Sequence, residues 1–350
     1  MPQKVLLLTN TLSAGGRFVV GETDVPAPGP GHVLVEVHAT ALNPMEAVIA
    51  DTGAFVPKWP TSLGFDAAGV VAKLGEAVAG FVVGDRVMHS GTFAGSVFVT
   101  TYQQYVVMSV DYIAKVPQSI TLDQAATIPS TAATAAFGLY HKKQTPFGGI
   151  ELTPPWEGGR GKYAGEPIVI IAGATNVGQH TIQFAKLSGF SPIITTASPH
   201  NEAYLKSLGA THVIDRSLPL AAHVRAITDK PVQYGYDAIS LPETQDALYD
   251  LLAPGGRLLL VKHTVAIDPA KLAAGDKYVG CVFADPQAPG MQDIGRTFYA
   301  HLAQLVEAGD IKPTRLEVLP NGLAGIPDGL QRLKQGVSAL KLVARPQETP

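Results

Sequence analysis

The sequence contains almost no cysteine and comparatively little charge. Cys281 is the only cysteine among 350 residues, which excludes a disulfide framework and any metal site built from several thiolates. Charged residues make up 16% of the chain and the formal net charge is −3, which argues against nucleic acid or an anionic membrane as partner. The chain also lacks any run of about 18 apolar residues, so we expect no membrane-spanning helix.

The chain does have a high content of apolar residues, and its start does not look like a secretory signal. Apolar residues make up 46% of the sequence, enough for a large core, and a length of 350 residues favours two domains. The first residues lead directly into a strand-like run and lack the apolar h-region of a signal peptide. We therefore expect a cytoplasmic protein in a reducing compartment.

A strand–turn–helix–strand unit between residues 167 and 201 is the most informative stretch. The β-branched run 168–171 predicts a buried strand, the turn 173–178 reads GATNVG, and a helical pattern and a second strand at 192–196 follow. Such a turn directs backbone N–H groups and a helix N-terminus at a pyrophosphate. Because Thr175 replaces the second glycine of G-x-G-x-x-G, the turn alone fits a structural role equally well. The βαβ context favours nucleotide binding.

The residues after the second strand indicate which nucleotide binds. An NAD site usually places an acid about 20 residues after the glycines, where it binds the ribose. Here residues 197–201 read ASPHN, and a hydroxyl, an imidazole and downstream cations suit a 2′-phosphate and therefore NADP(H). Alternatively, Ser198 or Asn201 caps the helix beginning at Glu202, and both roles can coexist. The residues considered for this subsite are Ser198, Pro199, His200, Asn201, Lys206 and Arg216.

The remaining sequence predicts two domains of different type. Short strands punctuated by glycine before residue 125 are typical of a β-barrel-like domain, whereas helices and strands alternate after residue 201. Between residues 141 and 166 the composition shifts to Gly, Pro and charge, which predicts a surface excursion and not a packed element. The excursion is long enough for a lid or a partner-binding loop, and a tolerated insertion is the alternative.

Six stretches distributed over the chain match one known family: VPAPGPGHVLVEVHATALNP (25–44), LGFDAAGVV (63–71), VGDRV (83–87), GATNVG (173–178), PGGRLLLV (254–261) and RLKQGVSALKLV (332–343). They resemble the zinc-free, quinone oxidoreductase-like medium-chain dehydrogenase/reductases. The stretch TTASPHN (195–201), followed by KSLGATHVIDR (206–216), is similar to the fungal trans-acting enoyl reductases among them. The resemblance implies an α/β fold with a GroES-like β-barrel domain at 1–125, to which 310–350 return. A doubly wound parallel-sheet Rossmann domain that binds NADP(H) is implied at 126–309.

The same resemblance also indicates whether the chain has the ligands for a catalytic zinc ion. Zinc-dependent members hold the catalytic metal with two cysteines and a histidine, whereas here Asn43 stands near the first position and Phe65 replaces the histidine. A second cysteine does not exist, so we expect no metal site. Without a Lewis acid nothing stabilises the alkoxide of an alcohol, which disfavours alcohol oxidation.

The zinc-free members that the chain resembles reduce activated C=C bonds or quinones. We therefore expect NADPH-dependent reduction of an enone or an enoyl thioester, the latter carried by a protein of a polyketide synthase pathway. The alternatives are a quinone oxidoreductase and a catalytically idle NADPH-binding partner or sensor. The family is compatible with a monomer or with a homodimer formed through the edge strand around residues 278–283.

Finally, the resemblance assigns individual residues. Asn43 and Thr134 are expected at catalytic positions, although Thr134 alone would also fit an ordinary helical threonine that bonds back to a carbonyl. Val48 occupies a place where many relatives carry Tyr or Lys, and a valine cannot donate a proton. Water or another side chain must then protonate the α-carbon, and the candidates are Tyr102, Tyr105 and His89. The expected cofactor contacts are Met45, Val48, Thr175, Asn176, Val177, Gly178, Val261, Lys262, Leu340 and Lys341, the last with a solvated surface position as its alternative.

Overall fold

A computed structural model describes residues 2–93 and 98–350 of the chain. Its strands are β1 (Pro2–Leu8), β2 (Phe18–Asp24), β3 (His32–Ala41), β4 (Thr61–Ser62), β5 (Asp66–Leu74), β6 (Arg86–Ser90), β7 (Tyr105–Ser109), β8 (Ala114–Lys115), β9 (Ile168–Ile171), β10 (Ile193–Ala197), β11 (His212–Asp215), β12 (Tyr234–Asp237), β13 (Arg257–Leu260), β14 (Tyr278–Cys281), β15 (Leu316–Val318) and β16 (Lys341–Ala344). Its helices are α1 (Pro44–Thr52), α2 (Leu122–Ala125), α3 (Pro129–Tyr140), α4 (Asn176–Leu187), α5 (Glu202–Leu208), α6 (Leu220–Ile227), α7 (Pro242–Leu251), α8 (Pro269–Ala274), α9 (Gln292–Glu307) and α10 (Ile326–Gln335). None of the helices in these residues combines the length and the apolar character that crossing a bilayer requires.

The chain divides into two compact units. The first comprises residues 1–130, 285–308 and 313–350, and the second comprises residues 131–284 and 309–312. The division differs from the expected one mainly at α9, which was assigned to the nucleotide-binding domain. In the structure α9 packs against β8, and the Tyr299 hydroxyl accepts a hydrogen bond from the Ser90 N–H at 3.0 Å, so this helix belongs to the first unit.

The first unit is built around a seven-stranded sheet. Its strands follow the order β15-β16-β3-β5-β6-β8, and β7 pairs with β3 as well. The strand β3 pairs antiparallel with β5, and two register shifts along this pair bend the sheet in the manner of β-bulges. A smaller sheet, β2-β1-β4, contains the first hairpin, in which β1 pairs antiparallel with β2.

One face of α1 is built into the core of this unit. Its residues Ala47, Ile49 and Ala50 are buried in an apolar cluster that also receives side chains from β1, α10 and β16. The opposite face of the helix stays in contact with solvent, where Met45 and Val48 are 40% and 50% exposed. The core therefore fixes the position of α1 and presents its first turn at the surface.

The second unit contains a six-stranded sheet in which every pair is parallel. The strand order is β11-β10-β9-β12-β13-β14, which reverses direction at β9 as in a doubly wound fold. All four residues of β9 are buried, as its β-branched run predicts for a central strand. Ligands bind at the carboxyl ends of such strands, so the segments after β9, β10 and β13 mark the site.

The Gly- and Pro-rich segment 141–166 is packed, so the prediction of an unpacked surface excursion was wrong. The Trp156 ring lies edge-on to Tyr140 with centroids 5.5 Å apart, and Tyr163 stacks on Phe190 at 5.0 Å. Its backbone is tied to the end of α4, where the Tyr163 N–H donates to the Ser188 carbonyl at 2.8 Å. The amino-acid composition did not predict this packing, because a few aromatic side chains anchor a segment that is otherwise rich in turn residues.

The same segment covers part of the sheet edge at β14. The Gly148 N–H donates to the Cys281 carbonyl at 3.0 Å, and the Phe147 ring stacks on Phe283 with centroids 5.2 Å apart. An edge strand offers unpaired N–H and C=O groups for pairing with a second chain. A dimer formed strand to strand along β14 would have to compete with this contact.

Candidate active site

The glycine turn after β9 forms a close junction between strand and helix. Thr175 adopts an extended conformation and caps α4, its Oγ1 accepting the Gly178 N–H at 3.0 Å. A Cβ atom on Gly173 would lie 2.1 Å from Thr195 Oγ1, and one on Gly178 would lie 2.5 Å from the Ala172 carbonyl oxygen. A side chain at Gly173 would require Thr195 on β10 to move, and a side chain at Gly178 would require the start of α4 to move away from β9.

The geometry of this junction suits binding of the pyrophosphate of a dinucleotide. The N–H groups of Asn176 and Val177 belong to the first turn of α4, where no intrahelical acceptor exists and the helix dipole favours an anion. Thr175 replaces a glycine without closing the turn, because its side chain folds onto the helix as a cap. The expected pyrophosphate contacts Thr175, Asn176, Val177 and Gly178 are therefore brought together at one helix N-terminus.

The segment after β10 lies beside this turn and carries no carboxylate. Pro199 and His200 are exposed, Ser198 is half-buried, and the Arg216 N–H donates to the Ala197 carbonyl at 3.1 Å. The last contact places the exposed Arg216 next to the end of β10. The Arg216 cation suits a 2′-phosphate. Asp215, which pairs with Ala197 in the sheet, lies near the same strand end, and its carboxylate accepts the Ser217 N–H and hydroxyl at 3.0 and 2.9 Å.

Two details of this subsite differ from the alternatives raised above. Neither Ser198 nor Asn201 makes a side-chain capping hydrogen bond at the turn before α5, so capping does not account for these residues. Lys206 forms an ion pair with Glu202 at 2.7 Å, one helical turn away, so its ammonium is already paired. The cation that remains for a phosphate is Arg216.

The segment after β13 completes the carboxyl edge of the sheet. The N–H groups of Val261 and Lys262 both point at Ser240 Oγ, at 2.9 and 3.4 Å. Ser240 has a φ of +52°, a conformation uncommon for a residue with a side chain, and Asp237 Oδ1 accepts its N–H at 2.7 Å. The sequence analysis did not identify Asp237 and Ser240. Asp237 could have been noticed, because it is an acid at the end of a buried strand.

Thr134 lies within α3 in the second unit and is half-buried. Its carbonyl oxygen accepts the Tyr236 hydroxyl at 2.9 Å. This contact ties the middle of α3 to β12, the strand that neighbours β9 in the sheet. The helix that carries Thr134 is therefore held to the nucleotide-binding sheet by a buried tyrosine.

In the first unit, Asn43 and Glu46 fix the start of α1. The Glu46 carboxyl oxygens accept three N–H groups, those of the Asn43 main chain at 2.6 Å, the Asn43 amide at 3.2 Å and the Phe65 main chain at 3.1 Å. Pro44 occupies the first helical position, where its missing N–H costs nothing. The helix start is thus tied to the segment that precedes β5 through one buried acid.

A buried ion pair adjoins this start. Lys341 Nζ lies 3.1 Å from Asp66 Oδ2 and also donates to Asn43 Oδ1, and the Lys341 and Asp66 side chains are no more than 1% exposed. Asp66 further accepts the Ser130 N–H at 2.7 Å, the Ser130 hydroxyl at 2.6 Å and the Asn43 amide at 3.0 Å. The solvated-surface alternative for Lys341 is wrong. We call Asn43, Glu46, Asp66, Ser130 and Lys341 the polar cluster.

Burial dominates the protonation behaviour around the polar cluster. It raises the pKa of Glu46 to about 8, although the Lys341 ammonium and the Asn43 hydrogen bond act in the opposite direction. Burial together with the Glu46 and Asp66 carboxyl groups raises the pKa of Tyr102 well above its usual value. Burial lowers the pKa of His89 to about 4, so this imidazole is neutral at pH 7.

The donor set of the polar cluster does not fit catalytic zinc. Zinc needs three or four nitrogen, sulfur or carboxylate ligands around a cation-sized space. Here Asn43 Oδ1 is bonded to the Lys341 ammonium and Phe65 offers only a hydrocarbon ring, and a metal cation beside that ammonium would be repelled. Among residues 2–93 and 98–350, no group of three or more His, Cys, Asp or Glu side chains is arranged to hold a metal.

The structure also locates the other residues expected in this unit. Both the nitrogen and the oxygen of the Asn43 side-chain amide form hydrogen bonds inside the polar cluster, so Asn43 holds Asp66 and Lys341 in place. Tyr102 and His89 are fully buried, and Tyr105 donates its hydroxyl to Glu36 Oε1 at 3.4 Å. Leu340 is half-buried beside Lys341.

Sequence reasoning missed three members of the polar cluster, Glu46, Asp66 and Ser130. A detectable signal existed for Glu46 and for the presence of a buried partner of Lys341. Asn43 followed three residues later by Glu46 has the spacing of a helix N-terminus, and Lys341 lies inside an otherwise apolar run, where an isolated charge needs a buried partner. Only the fold shows that the partner is Asp66.

Comparison with known proteins agrees with this architecture. The family model described as alcohol dehydrogenase GroES-like domain matches residues 29–118, and the model described as zinc-binding dehydrogenase matches residues 176–284. The two matches fall on the first and second units, respectively. The expected fold class, a GroES-like β-barrel domain with a doubly wound Rossmann domain, is confirmed.

Individual relatives cover nearly the whole chain. The chain is 30% identical over 344 residues to the trans-enoyl reductase grgB of Penicillium sp, with 93% of each chain covered. It is 32% identical over 339 residues to the dehydrogenase azaJ of Aspergillus niger, with 93% of this chain and 94% of the relative covered. An alcohol dehydrogenase superfamily protein from Novosphingobium aromaticivorans has the same fold, with a TM-score of 0.80, 23% identity, and 97% and 99% of the two chains covered.

Proposed function

Because the chain belongs to the medium-chain dehydrogenase/reductase family, we propose that it reduces an activated carbon–carbon double bond with NADPH and without zinc. The family uses a nicotinamide cofactor, and the relatives named trans-enoyl reductases support an enzyme of the enoyl reductase type. The substrate is an enone or an enoyl thioester. A thioester on the carrier protein of a polyketide synthase is the form that those relatives favour.

The observation that carries the proposal is the contact of Lys341 with Asn43. An ammonium bonded to Asn43 leaves no donor set for a metal cation at this place. Oxidation of an alcohol by this family needs a metal to stabilise the alkoxide, whereas reduction of an activated alkene needs only hydrogen-bond donors near the carbonyl oxygen. The polar cluster therefore favours the second reaction.

The residues of the chain have separate tasks in this reaction. Bound NADPH supplies the hydride that adds to the β-carbon. The first turn of α4, with Thr175, Asn176 and Val177, binds the pyrophosphate, and Arg216 with Ser198 and His200 binds the 2′-phosphate. We assign the Thr134 hydroxyl to the carboxamide or to the carbonyl oxygen on which enolate charge develops.

The proton that completes the reaction comes from water in this proposal. Val48 is 50% exposed but has no acidic group, while Tyr102 and His89 are completely buried. The Tyr105 hydroxyl is bonded to Glu36. Because two of the candidate side chains are buried and the half-buried Tyr105 donates its hydroxyl to Glu36, we assign the proton to solvent. General acid catalysis is typically worth about 10²–10⁴-fold, so its absence slows the reaction without abolishing it.

A turnover assay tests the proposed function. NADPH oxidation should be coupled to reduction of an enone or a trans-2-enoyl N-acetylcysteamine thioester, with the saturated product identified by mass spectrometry. NADPH should bind at least about tenfold more tightly than NADH at matched salt, which corresponds to about 1.4 kcal/mol. Equal dissociation constants would refute the assignment of the 2′-phosphate subsite. Turnover of quinones alone, or tight NADPH binding without any turnover, would favour one of the two alternatives.

Removal of metal should leave the protein unchanged. Since the polar cluster offers no zinc ligands, exhaustive dialysis against a chelator should alter neither the turnover rate nor the melting temperature. The purified protein should contain far less than one equivalent of zinc by elemental analysis. A stoichiometric metal content that is lost together with activity would contradict the assignment.

A further inference from the structure

The segment after β13, residues 261–266, has a backbone that buried side chains hold in place, and we call it the β13 loop. Ser240 Oγ accepts the first two N–H groups of the loop, at 2.9 and 3.4 Å. The Gln245 side chain donates to the Thr264 carbonyl at 3.1 Å and accepts the Ala266 N–H at 2.8 Å. Ser240 and Gln245 are themselves buried, whereas all but the first residue of the loop are exposed. The loop therefore presents its side chains to solvent on a fixed backbone.

A ring contact ties the middle of the β13 loop to the Gly- and Pro-rich segment 141–166. His263 Nε2 donates to the Val282 carbonyl at 3.1 Å, just after β14, and the His263 ring lies against Phe147 with centroids 4.6 Å apart. Phe147 in turn stacks on Phe283, with centroids 5.2 Å apart. One imidazole is thus bonded to the chain after β14 and packed against a phenyl ring of the Gly- and Pro-rich segment.

The backbone after Phe147 fixes where the phenyl ring lies. The Gly148 N–H is bonded to the end of β14, and a Cβ atom on Gly148 would lie 2.6 Å from the Gln144 main-chain nitrogen. A Cβ atom on Gly149 would lie 2.4 Å from the Phe137 carbonyl oxygen. Two consecutive positions without room for a side chain make a tight turn, and this turn holds Phe147 against the β13 loop.

The place of the β13 loop in the sheet relates it to one half of the cofactor. The strand order β11-β10-β9-β12-β13-β14 is that of two halves that meet at β9, and in such folds each half binds one mononucleotide of a dinucleotide. The pyrophosphate site follows β9, and the subsite assigned to the 2′-phosphate follows β10. The adenosine half of the cofactor is thereby assigned to β9, β10 and β11, and the nicotinamide half to the strands that include β13.

We propose that Phe147, His263 and Gln245 are positioning residues that hold the β13 loop in the shape that receives the nicotinamide half of the cofactor. The inference rests on the nicotinamide cofactor of the proposed function, and it does not depend on the substrate. It gives the Gly- and Pro-rich segment 141–166 a task, because Phe147 supports the cofactor site from that segment. Loss of the ring contact frees the loop to adopt other conformations, and a cofactor must then order the loop when it binds.

The test compares the whole cofactor with a fragment that lacks nicotinamide. NADPH and adenosine 2′,5′-bisphosphate are titrated into the protein, and their dissociation constants are determined by calorimetry. Phe147→Leu removes the ring and keeps an apolar side chain. It should raise the dissociation constant of NADPH by about fivefold to tenfold, because binding must then order the loop. The dissociation constant of the fragment, which is assigned to the segments after β9 and β10, should change by less than about twofold.

The matched control is Tyr163→Leu, which removes a packed ring from the same Gly- and Pro-rich segment. Tyr163 stacks on Phe190 with centroids 5.0 Å apart and contacts Tyr234 at 5.9 Å. Tyr234 is the first residue of β12, so this contact lies at the amino end of the strand, opposite to the carboxyl edge where the cofactor binds. The control should lower the melting temperature and leave both dissociation constants unchanged.

His263→Gln tests the same contact from the other side. Glutamine keeps a nitrogen donor for the Val282 carbonyl but removes the ring that Phe147 contacts. Its effect on NADPH should match that of Phe147→Leu, and the double variant should bind no more weakly than either single variant, because the same contact is lost in each. His263 is exposed, so this variant supplies the measurement if Phe147→Leu does not fold.

The outcomes separate this inference from the proposed function. Equal weakening of NADPH and of the fragment would overturn the inference, because it would indicate a general loosening of the second unit. Unchanged dissociation constants for both ligands would also overturn it and leave Phe147 with a packing role alone. A selective loss of NADPH affinity in Phe147→Leu, when the unaltered protein reduces no activated alkene, would support the inference and refute the reductase. A selective loss of NADH affinity relative to ADP, in a protein that prefers NADH, would support the inference and refute the 2′-phosphate subsite.

Discussion

Replacement of Lys341 by methionine will lower the free energy of unfolding by about 3–5 kcal/mol. Lys341 and Asp66 are both almost completely buried, with 3.1 Å between Nζ and Oδ2. Methionine keeps most of the side-chain volume but leaves the Asp66 carboxylate without its cation in a place that water does not reach. For a chain of this length the loss corresponds to a drop in melting temperature of roughly 4–7 °C, measured by scanning fluorimetry.

Two further variants show whether charge is the cause. Lys334→Met removes a lysine that pairs with Asp51 at 2.7 Å on the surface, and it should cost less than about 1 kcal/mol. The double variant Lys341→Met with Asp66→Asn removes both charges, and it should be more stable than Lys341→Met alone. A double variant less stable than Lys341→Met alone would show that the loss comes from packing around Lys341 and not from the unpaired Asp66 carboxylate.

The second large effect concerns Glu46 and pH. The folded protein holds the proton of this carboxyl up to about pH 8, whereas the unfolded chain releases it near the ordinary value of 4.5. Below pH 4.5 both states are protonated, and between the two values only the unfolded state loses the proton, so rising pH favours unfolding. At 1.36 kcal/mol per pKa unit, the contribution of Glu46 falls by roughly 4–5 kcal/mol across this window.

Glu46→Gln cannot titrate, and it removes this dependence. The unfolding free energy of the unaltered protein minus that of the variant should therefore fall steadily from pH 5 to pH 8 and then level off. Other buried groups titrate equally in both proteins and cancel from the difference. Glu307→Gln, which makes the same replacement at an exposed position on α9, is the matched control. A difference that stays constant for Glu46→Gln would refute the assigned proton.

Prediction from sequence succeeded where a local pattern decides the structure. The strand β9 has the predicted bounds, 168–171, because a short β-branched run followed by a glycine turn specifies such an element locally. The turn at Gly173 and Gly178 was identified from glycine spacing, and the structure supplies its reason, since a Cβ at either position would collide with neighbouring atoms. Segment 141–166 was misjudged because its packing depends on aromatic contacts with residues distant in sequence.

The sequence by itself determined the family, the two-domain α/β architecture and the scarcity of thiolates, because these depend on motifs and on which residue types are present. Only the tertiary structure decided what Asn43 and Lys341 do. The two residues are 298 positions apart, and their contact exists because β16 pairs with β3 directly before α1 begins. The same folding buries Glu46 and Asp66, and burial shifts the pKa of Glu46 and makes the ion pair of Lys341 with Asp66 costly to break. Desolvation of this kind is a property of the packed interior that no local pattern in the chain records.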